Sequence, residues 1–220
     1  MTAADYRHYA LIIDRSGSME GIREETESGI RAYIAEQAKI GGKATVSLWQ
    51  FDTAPGPQGW GPAIERVINF TDITAAPEYK LRPRGYTPLL DAIGTAVTQE
   101  GDDLAALPEA DRPGKVLALI VTDGLENSSR EWTNERVKAL LTQQREKYSW
   151  EISYLGANQD AFAVAASFGV VNVNSSNYRP TRGSTQSAWR TSSLAATRYA
   201  SGASASAAYT PEEQEQNEKE

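Results

Sequence analysis

Two short runs constrain this chain more than anything else in it. Tyr-Ala-Leu-Ile-Ile at 9–13 and Val-Leu-Ala-Leu-Ile-Val at 116–121 are continuously apolar and bounded by polar residues. Runs of this length suit strands covered on both faces, which occur in parallel sheets sandwiched between helices. Each run leads into an acid. Asp14 follows the first directly, and Thr-Asp-Gly, holding Asp123, follows the second.

Around these runs, strand and helix patterns alternate. Met19, Ile22, Thr26, Ile30 and Tyr33 recur at helical steps, and Gly41-Gly42 ends that helix. Residues 43–52 alternate like a half-covered strand, with Val46 and Leu48 on one face and Trp49 and Phe51 on the other. A Pro/Gly-rich loop at 54–62 then leads to a short edge strand at 66–70. The loop at 74–86 delivers Thr87-Pro88, where proline suits a first helical turn, and Leu89, Leu90, Ile93, Ala96 and Val97 continue the helix. After the second run come a helix through Val137, Leu140 and Leu141, a strand at 150–155, a short helix at 161–168 and a last strand at 170–173. This alternation predicts an α/β fold, a doubly wound and mostly parallel sheet of about six strands with one short antiparallel edge strand.

Composition changes at residue 174. The reading is one domain over 1–173 and a Ser/Ala/Thr-rich extension over 174–220, with one helix at 186–199 and an acidic tail. Residues 174–210 hold Arg179, Arg182, Arg190 and Arg198 and no acid, whereas the last ten residues hold five glutamates against one lysine. Self-association, a surface tether and a simple solvated tail are all compatible with that pattern.

Several function classes are disfavoured at once. There are no cysteines, so disulfides, thiolate metal sites and cysteine nucleophiles are out. The single histidine, His8, reads as a polar residue flanking the first strand, which leaves histidine-dependent hydrolysis without its base. A net charge of −7 argues against nucleic acid as a partner. No apolar stretch approaches the ~20 residues of a membrane span, and the first residues lack a signal-type core, so the expectation is a cytoplasmic setting and no membrane.

In open α/β sheets, ligands collect at the carboxyl ends of the strands. If the two apolar strands are neighbours, Asp14 and Asp123 share that rim, with Ser16 and Ser18 on the loop that follows. Carboxylates and hydroxyls are hard oxygen donors that suit Mg²⁺ or Mn²⁺. Asp14-x-Ser16-x-Ser18, Thr87 within Gly-Tyr-Thr-Pro-Leu, and Thr-Asp123-Gly together resemble the von Willebrand factor type A domain, over about residues 6–173. The three parts match that family's metal-ion-dependent adhesion site, in the family's order. The resemblance implies that Ser16 and Ser18 coordinate the ion directly, and Thr87 directly or through water. It implies that Asp14 and Asp123 act largely through waters and by fixing the serines. The implied partner is a protein presenting an exposed Glu or Asp, which completes the coordination. Family members that work beside AAA+ ATPases or in larger assemblies keep an intracellular role open.

Other residues near the motif carry two readings each. Asp52 adds charge to the rim or caps a turn. Glu126 and Asn127 touch a partner or shape a helix entry. Arg15 meets an acidic partner, while its neighbour Met19 belongs to the core. Trp60 and Tyr86 are exposed anchors or lie buried under loops. Arg82 and Arg84 stay solvated or steer an acidic partner. The alternatives to a metal-dependent binding module are Mg²⁺-dependent phosphoryl transfer and a structural subunit whose metal only orders loops. A dehalogenase-type phosphatase needs an aspartate where Ser16 stands, and a receiver needs an acidic pair and a late lysine, with Lys115 at the wrong end of its strand. Asp-Arg-Ser-Gly-Ser-Met also lacks the Gly-Lys-Ser/Thr of a phosphate loop. A non-enzymatic module is therefore expected.

Overall fold

The computed structural model describes residues 2–57, 59–157, 160–171 and 174–219. The first apolar run lies within β1 (Ala3–Asp14) and the second within β4 (Pro113–Thr122). They are parallel neighbours, with Ile13 beside Val121. With β2 (Lys43–Gly56), β3 (Gly59–Asp72), β5 (Glu151–Ala157) and β6 (Ser175–Tyr178) they form one sheet in the order β3-β2-β1-β4-β5-β6. Among the described residues, only the β2–β3 pair is antiparallel. The helices are α1 (Arg23–Ala38), α2 (Leu89–Ala106), α3 (Asn134–Tyr148), α4 (Ala161–Ser167), α5 (Arg182–Ala200) and α6 (Pro211–Lys219). This is the doubly wound, mostly parallel sheet that the alternation implied. Among the described residues, no helix is long and apolar enough to cross a membrane.

The two-residue period of a strand splits the core into two layers. Tyr9, Leu11 and Ile13 of β1 face the layer shared with α1 and α5. Ala10 and Ile12 face the layer under α2, α3 and α4. The same rule sends Val46 and Leu48 to the first layer and Trp49 and Phe51 to the second. Each fully buried Leu, Ile or Phe contributes about 1.5–3 kcal/mol, so both faces of the central strands hold the sheet in place.

Four local expectations change. The 54–62 segment is not a loop, because β2 and β3 run on as a hairpin to Gly56 and Gly59, and the edge strand is fourteen residues long. Its glycines and prolines sit at the hairpin tip, where backbone pairing rather than side-chain burial sets the structure. His8 lies inside β1, not ahead of it, and is fully buried. Its Nδ1 is 2.9 Å from Thr45 Oγ1 and its Nε2 is 2.9 Å from Glu100 Oε2, with Phe70 stacked on the ring. Polar partners inside the strand hid this from a hydrophobicity count.

The last strand is β6, at Ser175–Tyr178; of the 170–173 stretch, residues 172 and 173 lie outside the described residues. The sheet therefore continues past the composition break. Finally, the acidic end folds as α6 instead of trailing as a tail. Asn217 is fully buried there, donating to Ser176 Oγ (3.0 Å) and Thr191 Oγ1 (2.9 Å). Arg198 of α5 forms a two-pronged ion pair with Glu213 at 2.7 and 2.8 Å, so basic segment and acidic end pair within the chain.

Helix α5 packs along α1. Gly29 faces the Trp189 indole so closely that a Cβ there would fall 2.2 Å from Trp189 Cγ. Helix propensity alone favours Gly29→Ala by about 1 kcal/mol. We expect the clash to win, with a net loss of about 1–3 kcal/mol in urea denaturation. A more stable variant would mean that α5 is not seated on α1 as described.

Candidate metal centre

From β1 the chain proceeds to β2 and β3 on one side of the sheet, and from β4 to β5 and β6 on the other. The loops leaving β1 and β4 therefore diverge, and a crevice opens at their carboxyl ends. Asp14 ends β1 at this point and is fully buried. Its Oδ1 accepts the Ser16 N–H at 2.7 Å and its Oδ2 accepts the Thr122 hydroxyl at 2.6 Å. Ser16 Oγ and Ser18 Oγ are 3.1 Å apart, and Ser18 Oγ donates to Asp123 Oδ1 at 2.5 Å. A Cβ on Gly124 would lie 3.0 Å from Thr87 Oγ1 and 3.7 Å from Ser18 Oγ. Both hydroxyls thus border a position that the missing side chain of Gly124 leaves open. Asp14, Ser16, Ser18, Thr87 and Asp123, from three separate segments, share one rim.

Backbone contacts bring the third segment in. The Gly17 N–H donates to Gly85 O (3.2 Å), and the Arg84 N–H to Arg15 O (2.9 Å). Gly85 has φ of 64°, and a Cβ there would fall 2.4 Å from Thr53 O, so both conformation and approach require glycine. Thr87 is then clamped by Asn127. The Thr87 N–H donates to Asn127 Oδ1 (2.9 Å), and the Asn127 N–H donates to Thr87 O (3.1 Å).

Two carboxylates in this setting are electrostatically unfavourable without a cation. Burial pushes Asp14 up to about 7, against hydrogen bonds from Thr122 and Ser16, with the nearby Asp123 charge adding to the rise. Burial also raises Asp123. A divalent ion would reverse that balance. The donor set, three hydroxyls and two carboxylates, fits a hard ion of the Mg²⁺ or Mn²⁺ kind. Among the described residues, no group of three or more His, Cys, Asp or Glu side chains gathers as a metal cluster. The hydroxyls are therefore essential to any ion held here.

The neighbouring residues mostly serve the loops. Asp52 is fully buried between Arg15 (Nη2, 3.0 Å) and Arg84 (Nε, 2.6 Å). Arg15 is buried and turned to Asp52 instead of outward, and Arg84 ties down the Thr87 loop. Glu126 accepts the N–H groups of Leu90, Ser128 and Ser129 at 2.7–2.9 Å. Asp91 does the same for Arg130, Glu131 and Trp132. Met19 is core; Tyr86 is 60% exposed and Trp60 48%. Sequence reasoning gave no role to Thr122, which holds Asp14, or to Tyr178, whose hydroxyl donates to Thr122 O at 3.4 Å. Thr122 had a signal in its place beside Asp123; Tyr178 sits beyond the composition break and had none.

No family model matches the chain. An uncharacterized protein y4xN of Sinorhizobium fredii is 37% identical over 98 residues, 43% of this chain and 15% of that protein. The chain thus spans a small part of that relative. Among solved structures, proximal thread matrix protein 1 of the mussel byssus superposes with a TM-score of 0.58 at 11% identity, over 87% of this chain and 46% of that one. The pilus adhesin SpaC of Lactobacillus rhamnosus GG gives 0.56 at 12%, over 90% and 30%. Manganese-loaded TRAP of Plasmodium vivax gives 0.54 at 13%, over 80% and 69%. At such identities the likeness establishes the fold, which is that of the von Willebrand factor type A domain.

Two predictions follow from the geometry. An ordinary aspartate titrates at 3.8, and burial pushes Asp14 up to about 7 in the folded chain. Between those values the metal-free folded state holds a proton that the unfolded state releases, so this group lowers stability as pH rises through that window. In EDTA, Asp14→Asn is expected to melt above the parent at pH 8, with the gap closing towards pH 4; a pH-independent gap would refute the burial argument. Asn127→Ala is expected to weaken Mn²⁺ binding about tenfold, read by electron paramagnetic resonance, with the fold retained by circular dichroism.

Proposed function

We propose that the chain is a divalent-metal-dependent protein-binding module. Ser16, Ser18 and Thr87 would hold Mg²⁺ or Mn²⁺, with Asp14 and Asp123 behind them, and the ion would coordinate an exposed Glu or Asp of a protein partner. One observation carries this reading: the two serine hydroxyls of the loop after β1 and the Thr87 hydroxyl of a separate loop lie on one rim with two buried carboxylates. Hydroxyl donors bring no charge, so a bound ion keeps its attraction for an outside anionic oxygen.

The solved structures lend support from outside. One structure of the mussel matrix protein, with TM-score 0.53 and 13% identity, is described as having a zinc occupied MIDAS motif. The TRAP structure is manganese-loaded. The enzymatic alternative finds less in the site. Ser16 stands where a phosphatase aspartate would, and Lys115 lies near the start of β4, bound to Tyr199 O at the far end from Asp123. A binding role without catalysis fits these features best.

Mn²⁺ or Mg²⁺ is expected to raise the melting temperature by several degrees, and Asp14→Ala to remove most of the gain. Partner capture on the immobilised chain should require Mn²⁺ and be lost with EDTA or Thr87→Ala. Equal melting curves with metal and with EDTA would sink the reading.

A further inference from the structure

We infer that the metal rim is the floor of a docking surface for a protein segment whose acidic side chain is flanked by bulky apolar residues. The inference rests on the metal-dependent reading above and adds the chemistry around the carboxylate.

Three stretches enclose the rim and are fastened to one another. The β2–β3 hairpin is joined to the Thr87 loop where Thr53 Oγ1 accepts the Tyr86 N–H (2.9 Å). That loop is joined to residues 124–130 through the paired Thr87 and Asn127 bonds. Arg130 closes the circle, donating to the Trp60 carbonyl and lying 3.3 Å from where a Cβ on Gly61 would stand. Each stretch presents one large apolar side chain to solvent: Trp60 (48% exposed), Tyr86 (60%) and Leu125 (58%). Seven large apolar side chains are exposed among the described residues, and three of them stand on this one ring. Their grouping around the rim is what a partner surface requires. Trp, Tyr and Arg are also the residues that dominate interface energetics.

Charge selects the occupant. The chain as a whole carries −7. On the ring, however, Asp52 is buried between two arginines and Glu126 is spent on backbone N–H groups. Arg130 is exposed and donates to backbone carbonyl oxygen, so its charge is left for a partner. With an ion bound, Asp14 and Asp123 balance its charge, the neutral hydroxyls leave it attracted to an outside carboxylate, and the ring is apolar at three points of its edge. An acidic residue with bulky apolar neighbours complements both the ion and the apolar edge; an acidic segment of glycine and serine complements only the ion.

The probes are fluorescein-labelled peptides of about twelve residues with one central glutamate, flanked on both sides by Leu and Phe or by Gly and Ser. Binding to the Mn²⁺-loaded chain is read by anisotropy. The Leu/Phe peptide is expected to bind about tenfold or more tightly than the Gly/Ser peptide. Trp60→Ala and Tyr86→Ala should each remove most of that preference, while Mn²⁺ binding by paramagnetic resonance stays at the parental level. Equal binding of the two peptides on a chain that still takes Mn²⁺ overturns the inference and leaves the metal reading in place; binding of neither overturns the inference and counts against carboxylate coordination as well. An apolar preference that persists in EDTA overturns it too, because the ring would then act without the ion. A parent chain that takes no Mn²⁺ strikes the metal reading itself.

Discussion

A carboxylate buried at the end of a central strand must be answered by hydrogen bonds, by a proton or by a cation, and Asp14 is such a group. Its two oxygens are held by the Ser16 N–H and the Thr122 hydroxyl, one from its own loop and one from the neighbouring strand. These bonds aim the carboxylate without neutralising it, and burial still lifts it to about 7. The serine loop, the β1–β4 register and the converging Thr87 are all arranged around that one group. An acid in this position destabilises a metal-free chain near neutral pH, and a hard cation turns the same feature into a binding site.

The rim is stiffened by other acids used as backbone anchors. Asp91 accepts three N–H groups from the loop at 130–132, and Glu126 accepts two from residues 128 and 129 and one, Leu90, from the start of α2. Asp52 draws Arg15 and Arg84 together, which holds the loop before Thr87 against the loop after β1. A binding site gains affinity when its ligands are placed before the guest arrives. Here the placing is done by charged groups with little exposure of their own.

The far end of the sheet supports the same geometry. Helix α2 begins beside Thr87 and, three turns on, presents Glu100 to His8 of β1 and to Trp49 of β2. The arm carrying Thr87 and the strand carrying Asp14 are thereby tied at both ends. On the other face, α5 lies along α1, and α6 meets β6 and α5 through Asn217 and the Arg198–Glu213 pair. These contacts are rich in serine, threonine and asparagine, so hydrogen bonds carry specificity that an apolar interface would leave to shape.

Much of this was legible in the sequence, for a simple reason. Burial on both faces forces continuous apolar runs, and helices force their own period, so the residues at 9–13, 116–121 and 89–97 declare their elements locally. The acids and hydroxyls at the ends of those elements could be placed on one rim because strands of a doubly wound sheet end together. What stayed hidden depended on partners distant in sequence. His8 is satisfied by Thr45 and Glu100, Arg15 by Asp52, and Asn217 by Ser176 and Thr191. A polar residue reads as exposed until its partner is known. The sequence by itself therefore indicated a mostly parallel sheet around two buried strands and named five candidate residues at its rim, whereas the length of β3 and the place of β6 came from pairing. Only the tertiary structure decided which neighbouring charges face outward and which are locked inside, because that choice is made by long-range pairing and not by local pattern.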